Sequence, residues 1–179
     1  MKRLLLFLPI FLFFLSGCQN KDTQAELDTL KDIAALEERN QALVEKYIGI
    51  WNSRDFDGLG EVLDPQFKVY IPSSTDQPMS LDAYTEWFHG IVQGFPDIHY
   101  EIREIFASGD KVCLRWTTDA SLPGADPADP DAANKLTGGA IEIYTVKDGR
   151  ITEERSEMDA LGWQQQLGYK LVPPDENNQ

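Results

Sequence analysis

Residues 136–158 read LTGGAIEIYTVKDGRITEERSEM, and this stretch decides the fold. Lys147-Asp148-Gly149 sits at its centre, and an Asp-Gly pair favours the tight turn that joins two antiparallel strands. The spacing predicts strands from Leu136 to Val146 and from Arg150 to Met158. Upstream the pattern repeats: Ile98, Tyr100 and Ile102 alternate with His99, Glu101 and Arg103, Ser108-Gly109-Asp110 offers a turn, and Val112, Leu114 and Trp116 alternate with Cys113, Arg115 and Thr117. Between the two hairpins, residues 122–134 are rich in Pro, Asp and Ala and read as a loop.

Further upstream the period changes from two to that of a helix. From about Leu27 a run without Pro or Gly carries Leu36, Leu43, Tyr47, Ile50 and Trp51 on one helical face. Gly49 weakens its last turn, and Asn52-Ser53-Arg54-Asp55 breaks it before a short second helix from Phe56 to Leu63, stopped by Asp64-Pro65. Phe67, Val69 and Ile71 form a strand. Ser80 caps a third helix with Leu81, Tyr84, Phe88, Ile91, Val92 and Phe95 at spacings of three and four, ending at Gly94 and Pro96. A final helix is expected from Asp159 to Leu167. Helices followed by a meander predict an α+β domain, with three N-terminal helices on a curved, mainly antiparallel sheet. A pocket between helices and concave sheet is the expected place for a small molecule.

At the N-terminus Lys2 and Arg3 precede an apolar run from Leu4 to Leu15, too short to span a bilayer comfortably. Leu15-Ser16-Gly17-Cys18 at its end resembles the lipobox of bacterial lipoproteins. The resemblance implies export, cleavage before Cys18 and acylation of that cysteine, which would anchor the chain to a membrane in the bacterial cell envelope. The expected organisation is a leader at 1–17, lipidated Cys18 with a tether to residue 26, one domain from 27 to 170 and a polar tail at 171–179. The full chain carries 16 basic and 30 acidic residues, a net charge of −14. The leader takes Lys2 and Arg3 and no acid with it, so the mature chain stands at −16. Such a surface repels phosphate backbones, which excludes nucleic acid as an expected partner. Acylation leaves Cys113 as the one remaining thiol, so no internal disulfide can form, and a small buried hydrophobe is its expected role.

Six motifs run in order along the chain: Tyr47-x-x-x-Trp51-Asn52-x-x-Asp55, Phe95-Pro96-Asp97, Gly109-Asp110-Lys111-Val112-x-x-Arg115-Trp116, Asp148-Gly149-Arg150-Ile151-x-Glu153, Asp159-x-x-Gly162 and Gln165-Gln166-Leu167-Gly168. Together, over roughly Leu43 to Gly168, they resemble the SnoaL-like polyketide cyclases, or ester cyclases, of the nuclear-transport-factor-2-like superfamily. That resemblance implies a cone-shaped α+β fold. It also implies cofactor-free, metal-free ring closure by aldol chemistry, with Asp159 as acid/base and Arg115 or Asn52 stabilising oxyanion charge. Trp51, Trp87, Phe88, Asn52 and Arg155 are the further candidate ligand contacts.

Each of these residues also has a purely structural reading. Asp159 stands where strand gives way to helix and can serve as an N-cap. Arg115 lies on the strand face opposite Val112, Leu114 and Trp116, so it either pairs in the pocket or is solvated. Trp51 and Trp87 can be core, and Asn52 can end a helix. Counting by two back from Asp159 places Glu157, Arg155 and Glu153 on one charged sheet face.

The sequence departs from the family pattern at three points. Arg155 stands where a Trp is common, Thr117 to Leu122 contains no histidine, and Thr145 stands where an arginine is expected. Thr117 also occupies the second carboxylate position of limonene-epoxide-hydrolase-like relatives. His89 and His99 lack companions at ligand spacing, and Asp126, Asp129 and Asp131 lack the glycine and glutamate of a calcium loop, so no metal site is expected. The expectation is therefore a pocket for an apolar small molecule, used for binding or for a diverged cyclase-like activity. The alternatives are an active ester cyclase, isomerase or lyase using Asp159, or a module that dimerises through the open sheet face.

Overall fold

The computed structural model describes residues 21–122 and 135–172. The expected leader, Cys18, most of the Pro- and Asp-rich loop and the end of the tail lie outside these residues. Helix α1 spans Lys21–Ser53, so the polar stretch expected as a tether is helical from Lys21, because no Pro or Gly interrupts it. Only its C-terminal half packs on the domain: Asn40, Val44, Tyr47, Ile48, Ile50 and Trp51 are buried, whereas Leu27, Leu30, Ile33 and Leu36 are exposed. Beyond it come a 3₁₀ turn, Phe56–Gly58, and one α-helical turn, α2, Leu59–Val62.

Strand β1, Leu63–Tyr70, starts earlier than expected and runs through Asp64-Pro65. Its register slips between Leu63 and Lys68, which lets a residue without an N–H sit in the strand. Strand β2, Met79–Ser80, leads into α3, Leu81–Gly94, where Ser80 Oγ accepts from the Ala83 N–H at 3.3 Å as the predicted cap. The meander follows as β3, His99–Ser108, β4, Lys111–Ser121, β5, Lys135–Lys147, and β6, Arg150–Met158, with α4, Ala160–Gln166, at the end.

The six strands form one sheet in the order β2-β1-β6-β5-β4-β3, antiparallel except for the parallel β1–β6 pair. This is the expected α+β architecture. Two bulges bend it: Arg103 is the extra residue between Ile102 and Glu104 on β3, and Thr152 the extra residue between Ile151 and Glu153 on β6. The β3–β4 turn carries Gly109 at φ 58°. Its N–H donates to Glu37 Oε1 and its carbonyl accepts from Asn40 Nδ2, both at 2.9 Å, which clips α1 across the sheet. The helices cover the inner face, where Val112, Leu114, Trp116, Leu136, Tyr144, Val146 and Ile151 are buried. Among the described residues no helix is long and apolar enough to cross a membrane.

Candidate functional site

The inner face of the sheet and helices α1 and α3 enclose a narrow cavity of about 30 Å³. Helical spacing on α1 brings Tyr47, Ile48 and Trp51 to its wall, and α3 contributes Tyr84, Trp87, Phe88 and Ile91. The sheet adds Tyr100, Trp116, Glu142, Tyr144, Ser156 and Met158, and α4 covers it with Trp163. The wall is largely aromatic. Trp51 meets Tyr47 and Tyr84 edge-on with ring centres 5.4 and 5.5 Å apart, and Trp87 stacks on Tyr84 at 5.6 Å. At this volume the cavity holds water-sized groups, so a larger guest requires the cover to move.

Two buried carboxyls lie on or behind this wall. Glu142 Oε2 accepts from Tyr144 Oη and its Oε1 from Ser156 Oγ at 3.3 Å, and the Trp116 indole is a further donor to it. Beside it, Glu154 accepts from Tyr47 Oη at 3.0 Å and Tyr84 Oη at 3.3 Å. Burial pushes both carboxyls upward from the usual carboxylate range, and Glu142 further raises Glu154 by repulsion between like charges. Burial likewise raises the hydroxyls of Tyr47, Tyr84, Tyr144 and Tyr100. Only Glu142 of the two carboxyls lines the cavity. In such a place a carboxyl can donate a hydrogen bond as a neutral acid, or accept a proton from a carbon acid once ionised.

The residues expected to act together do not meet here. Asp159 is exposed, and its Oδ1 accepts from the Gly162 N–H at 2.8 Å, so it caps α4. Arg115 lies on the outer face of the sheet, paired with Glu104 at 3.0 Å with both side chains largely in water. Arg155 is also on that outer face: it pairs with Glu153 at 2.8 Å, donates to the Ser73 carbonyl at 2.8 Å, and stands 4.0 Å over the Tyr70 ring. Asn52 faces main chain, not ligand. Its Nδ2 donates to the Tyr100 carbonyl and its Oδ1 accepts from the Tyr100 N–H, both at 2.8 Å. It therefore pairs the end of α1 with β3 as another strand would. Trp51, Trp87 and Phe88 do line the cavity. Cys113 is half-buried on the outer face, and burial raises its thiol, which leaves it a poor nucleophile.

Residues in and beside the motifs find structural employment in the fold. Arg54, in the left-handed region at φ 61°, ends α1 and donates to the carbonyls of Asn52, Pro96 and Ile98. Asp97 accepts from the Ser121 N–H and hydroxyl, which holds its carboxyl below the usual range. Sequence reasoning missed Glu142, Glu154, Ser156 and Trp163. On β5, Leu136, Ala140, Glu142, Tyr144 and Val146 share one parity, and the structure buries that one.

Comparison with known proteins follows the same outline. The chain is similar to AclR from Streptomyces galilaeus, at 23% identity and a TM-score of 0.62, over 74% of this chain and 97% of AclR. It is similar to TsrD from Streptomyces laurentii, at 23% identity and 0.59, over 73% and 96%. It is also similar to a SnoaL-like polyketide cyclase from Agrobacterium tumefaciens, at 18% and 0.56, over 70% and 95%. No curated protein sequence matches it. These likenesses establish the shared fold, and the sequence itself goes further, because residues 41–167 match the family model for SnoaL-like polyketide cyclases. The match takes in the cavity walls and the α4 cover alike, and the chain belongs to the SnoaL-like polyketide cyclase family.

Proposed function

We propose that this protein is an exported, lipid-anchored SnoaL-like domain that takes up an apolar small molecule in the cavity between α1, α3 and the sheet, for binding or a diverged cyclase-like activity. The observation that supports the reading is the cavity wall itself: aromatic and aliphatic but for Ser156 and Glu142, its one carboxyl among the described residues, while Asp159 and Arg115 stand outside it. Any proton transfer on a bound guest then falls to Glu142, whose carboxyl burial pushes up from the usual carboxylate range. Anchoring rests on Leu15-Ser16-Gly17-Cys18. The test of uptake is titration with an apolar fluorescent dye and native mass spectrometry. One guest per chain is expected, and loss of uptake in Ile91→Trp, which fills the wall. Absence of uptake by the unaltered protein ends the reading. Cys18→Ala is expected to move the protein from the membrane fraction to the soluble one.

A second reading has its own observation. On the outer sheet face Phe106, Ile141 and Ile143 are 59%, 52% and 46% exposed, and Phe106, Cys113 and Ile143 lie in one cross-strand row. Such a patch fits the same patch on a second copy, giving a symmetric dimer. Sedimentation is expected to show a dimer that Ile143→Lys converts to monomer; a monomer at high concentration in the unaltered protein refutes it.

A further inference from the structure

Glu142 and Glu154 are buried without a counter-charge. Among the described residues no lysine, arginine or histidine forms an ion pair with either, and the hydrogen bonds they accept come from neutral groups. Glu142, on the cavity wall, has Tyr144 on its own strand, Ser156 on β6 and Trp116 on β4 as donors. Glu154, behind it, has Tyr47 from α1 and Tyr84 from α3. On β3 the facing titratable group is Tyr100, and Arg54, whose charge reaches Tyr100, is engaged with the carbonyls of Asn52, Pro96 and Ile98. A buried carboxyl in such a place either keeps a proton or meets a cation. The fold supplies no cation, so a guest can.

The walls supply the rest of a cation site. All four tryptophans of the chain line this cavity. Neighbouring rings stand close to right angles: Trp51 to Tyr84 at 90°, Tyr100 to Trp116 at 80° and Tyr47 to Tyr144 at 77°. Rings set this way form corners rather than a stack, and a corner of electron-rich rings attracts an organic cation. The enclosed volume of about 30 Å³ takes a water-sized group, which suits an ammonium head. Trp87 lines the cavity and is still 40% exposed, so the body of a guest can lie along it toward solvent. The net charge of −14 draws cations to the chain and turns anions away.

We propose that the guest of this cavity is an apolar amine, with its ammonium head against Glu142 among the aromatic rings and its hydrocarbon body along Trp87. The proposal rests on the small-molecule reading above and gives the guest its charge. On binding, Glu142 gives up its proton, to solvent when the amine arrives as ammonium and to the amine nitrogen when it arrives neutral. Glu154 keeps its own proton, because two ionised carboxyls side by side repel.

The test uses a matched pair of probes, benzylamine and ethylbenzene, which share a shape and differ by one charge. Each is titrated into the full mature protein and followed by the indole ¹H–¹⁵N resonances. At pH 7 the unaltered protein is expected to prefer benzylamine by about tenfold or more, the worth of a charged hydrogen bond. Glu142→Gln removes the charge and keeps the shape, so the preference is expected to vanish while ethylbenzene still binds. Should that variant not fold, the unaltered protein carries the test from pH 7 down to pH 4, where the carboxyl takes its proton back and the preference falls; a level preference over that range overturns the proposal. If both probes bind equally at pH 7, or ethylbenzene binds better, the proposal fails while uptake stands. If neither binds, the uptake reading itself fails. A benzylamine preference that survives in folded Glu142→Gln overturns the role assigned to that carboxyl.

Discussion

Glu142 and Glu154 should make this protein lose stability as pH rises, the reverse of what paired surface carboxylates do. In the unfolded chain both ionise near the ordinary glutamate value of about 4.3. In the fold burial raises both, so between the ordinary value and the folded ones the native state holds more protons than the unfolded state. Stability then falls with pH, by about 1.4 kcal/mol per unit for each proton retained. Their favourable contribution is complete below the unfolded value and is lost as pH climbs through the folded values. Each proton that the pair retains while pH rises therefore takes a noticeable share of the roughly 5–15 kcal/mol typical of a domain. Glu61, Glu104 and Asp97 are shifted downward instead, so their contributions are already in place above about pH 5 and do not tilt this window. Urea denaturation at half-unit steps from pH 4.5 to 7.5 measures the slope. The double variant Glu142→Gln, Glu154→Gln is expected to flatten it. Stability that is level or rising in the unaltered protein, or an unchanged slope in the double variant, refutes the assignment of buried, proton-retaining carboxyls.

Asn52→Ala removes both bonds to the Tyr100 main chain and is expected to cost about 2 kcal/mol of stability by denaturant titration, with dye affinity unchanged; weaker binding without lost stability would restore Asn52 as a ligand contact. Asp159→Ala removes the cap of α4 and is expected to cost about 1 kcal/mol, seen as faster amide exchange from Leu161 to Gln166, whereas Asp159→Asn keeps the cap and exchanges as the unaltered chain does. A ligand turnover that collapses in Asp159→Asn with α4 intact would return the acid/base role to that aspartate.

The fold was legible because its punctuation is local. Asp148-Gly149, Ser108-Gly109-Asp110 and the Ser80 cap each specify one turn or one helix start, and the hydrophobic period between them does the rest. The site was less legible for two physical reasons. On β5 both faces carry large apolar residues: Ile141 and Ile143 look outward, Tyr144 and Val146 inward, so alternation does not announce which side holds Glu142. On β6 the extra residue Thr152 reverses parity, so Ile151 and Glu154 are both buried although they are three apart. Counting back from Asp159 does place Glu153, Arg155 and Glu157 together, on the outer face. It leaves Glu154 unnoticed between them. Trp163 was invisible for another reason, since the room for its indole comes from Gly138, a residue distant in sequence.

The exposed half of α1 has a consequence for where the proposed uptake of a guest would take place. From Lys21 to Arg39, before the helix packs on the domain, its axis covers roughly 27 Å. Under the anchor proposed at Cys18, a helix of that length can act as a standoff, holding the acidic domain several times farther from a lipid surface than the ~8 Å over which physiological salt lets charges feel one another. An acidic body tethered on a short leash would be pushed about by anionic head groups; on this one it is electrostatically indifferent to them. A guest would then arrive by way of the aqueous layer above the membrane rather than sideways out of the acyl chains, which favours molecules soluble enough to cross that gap.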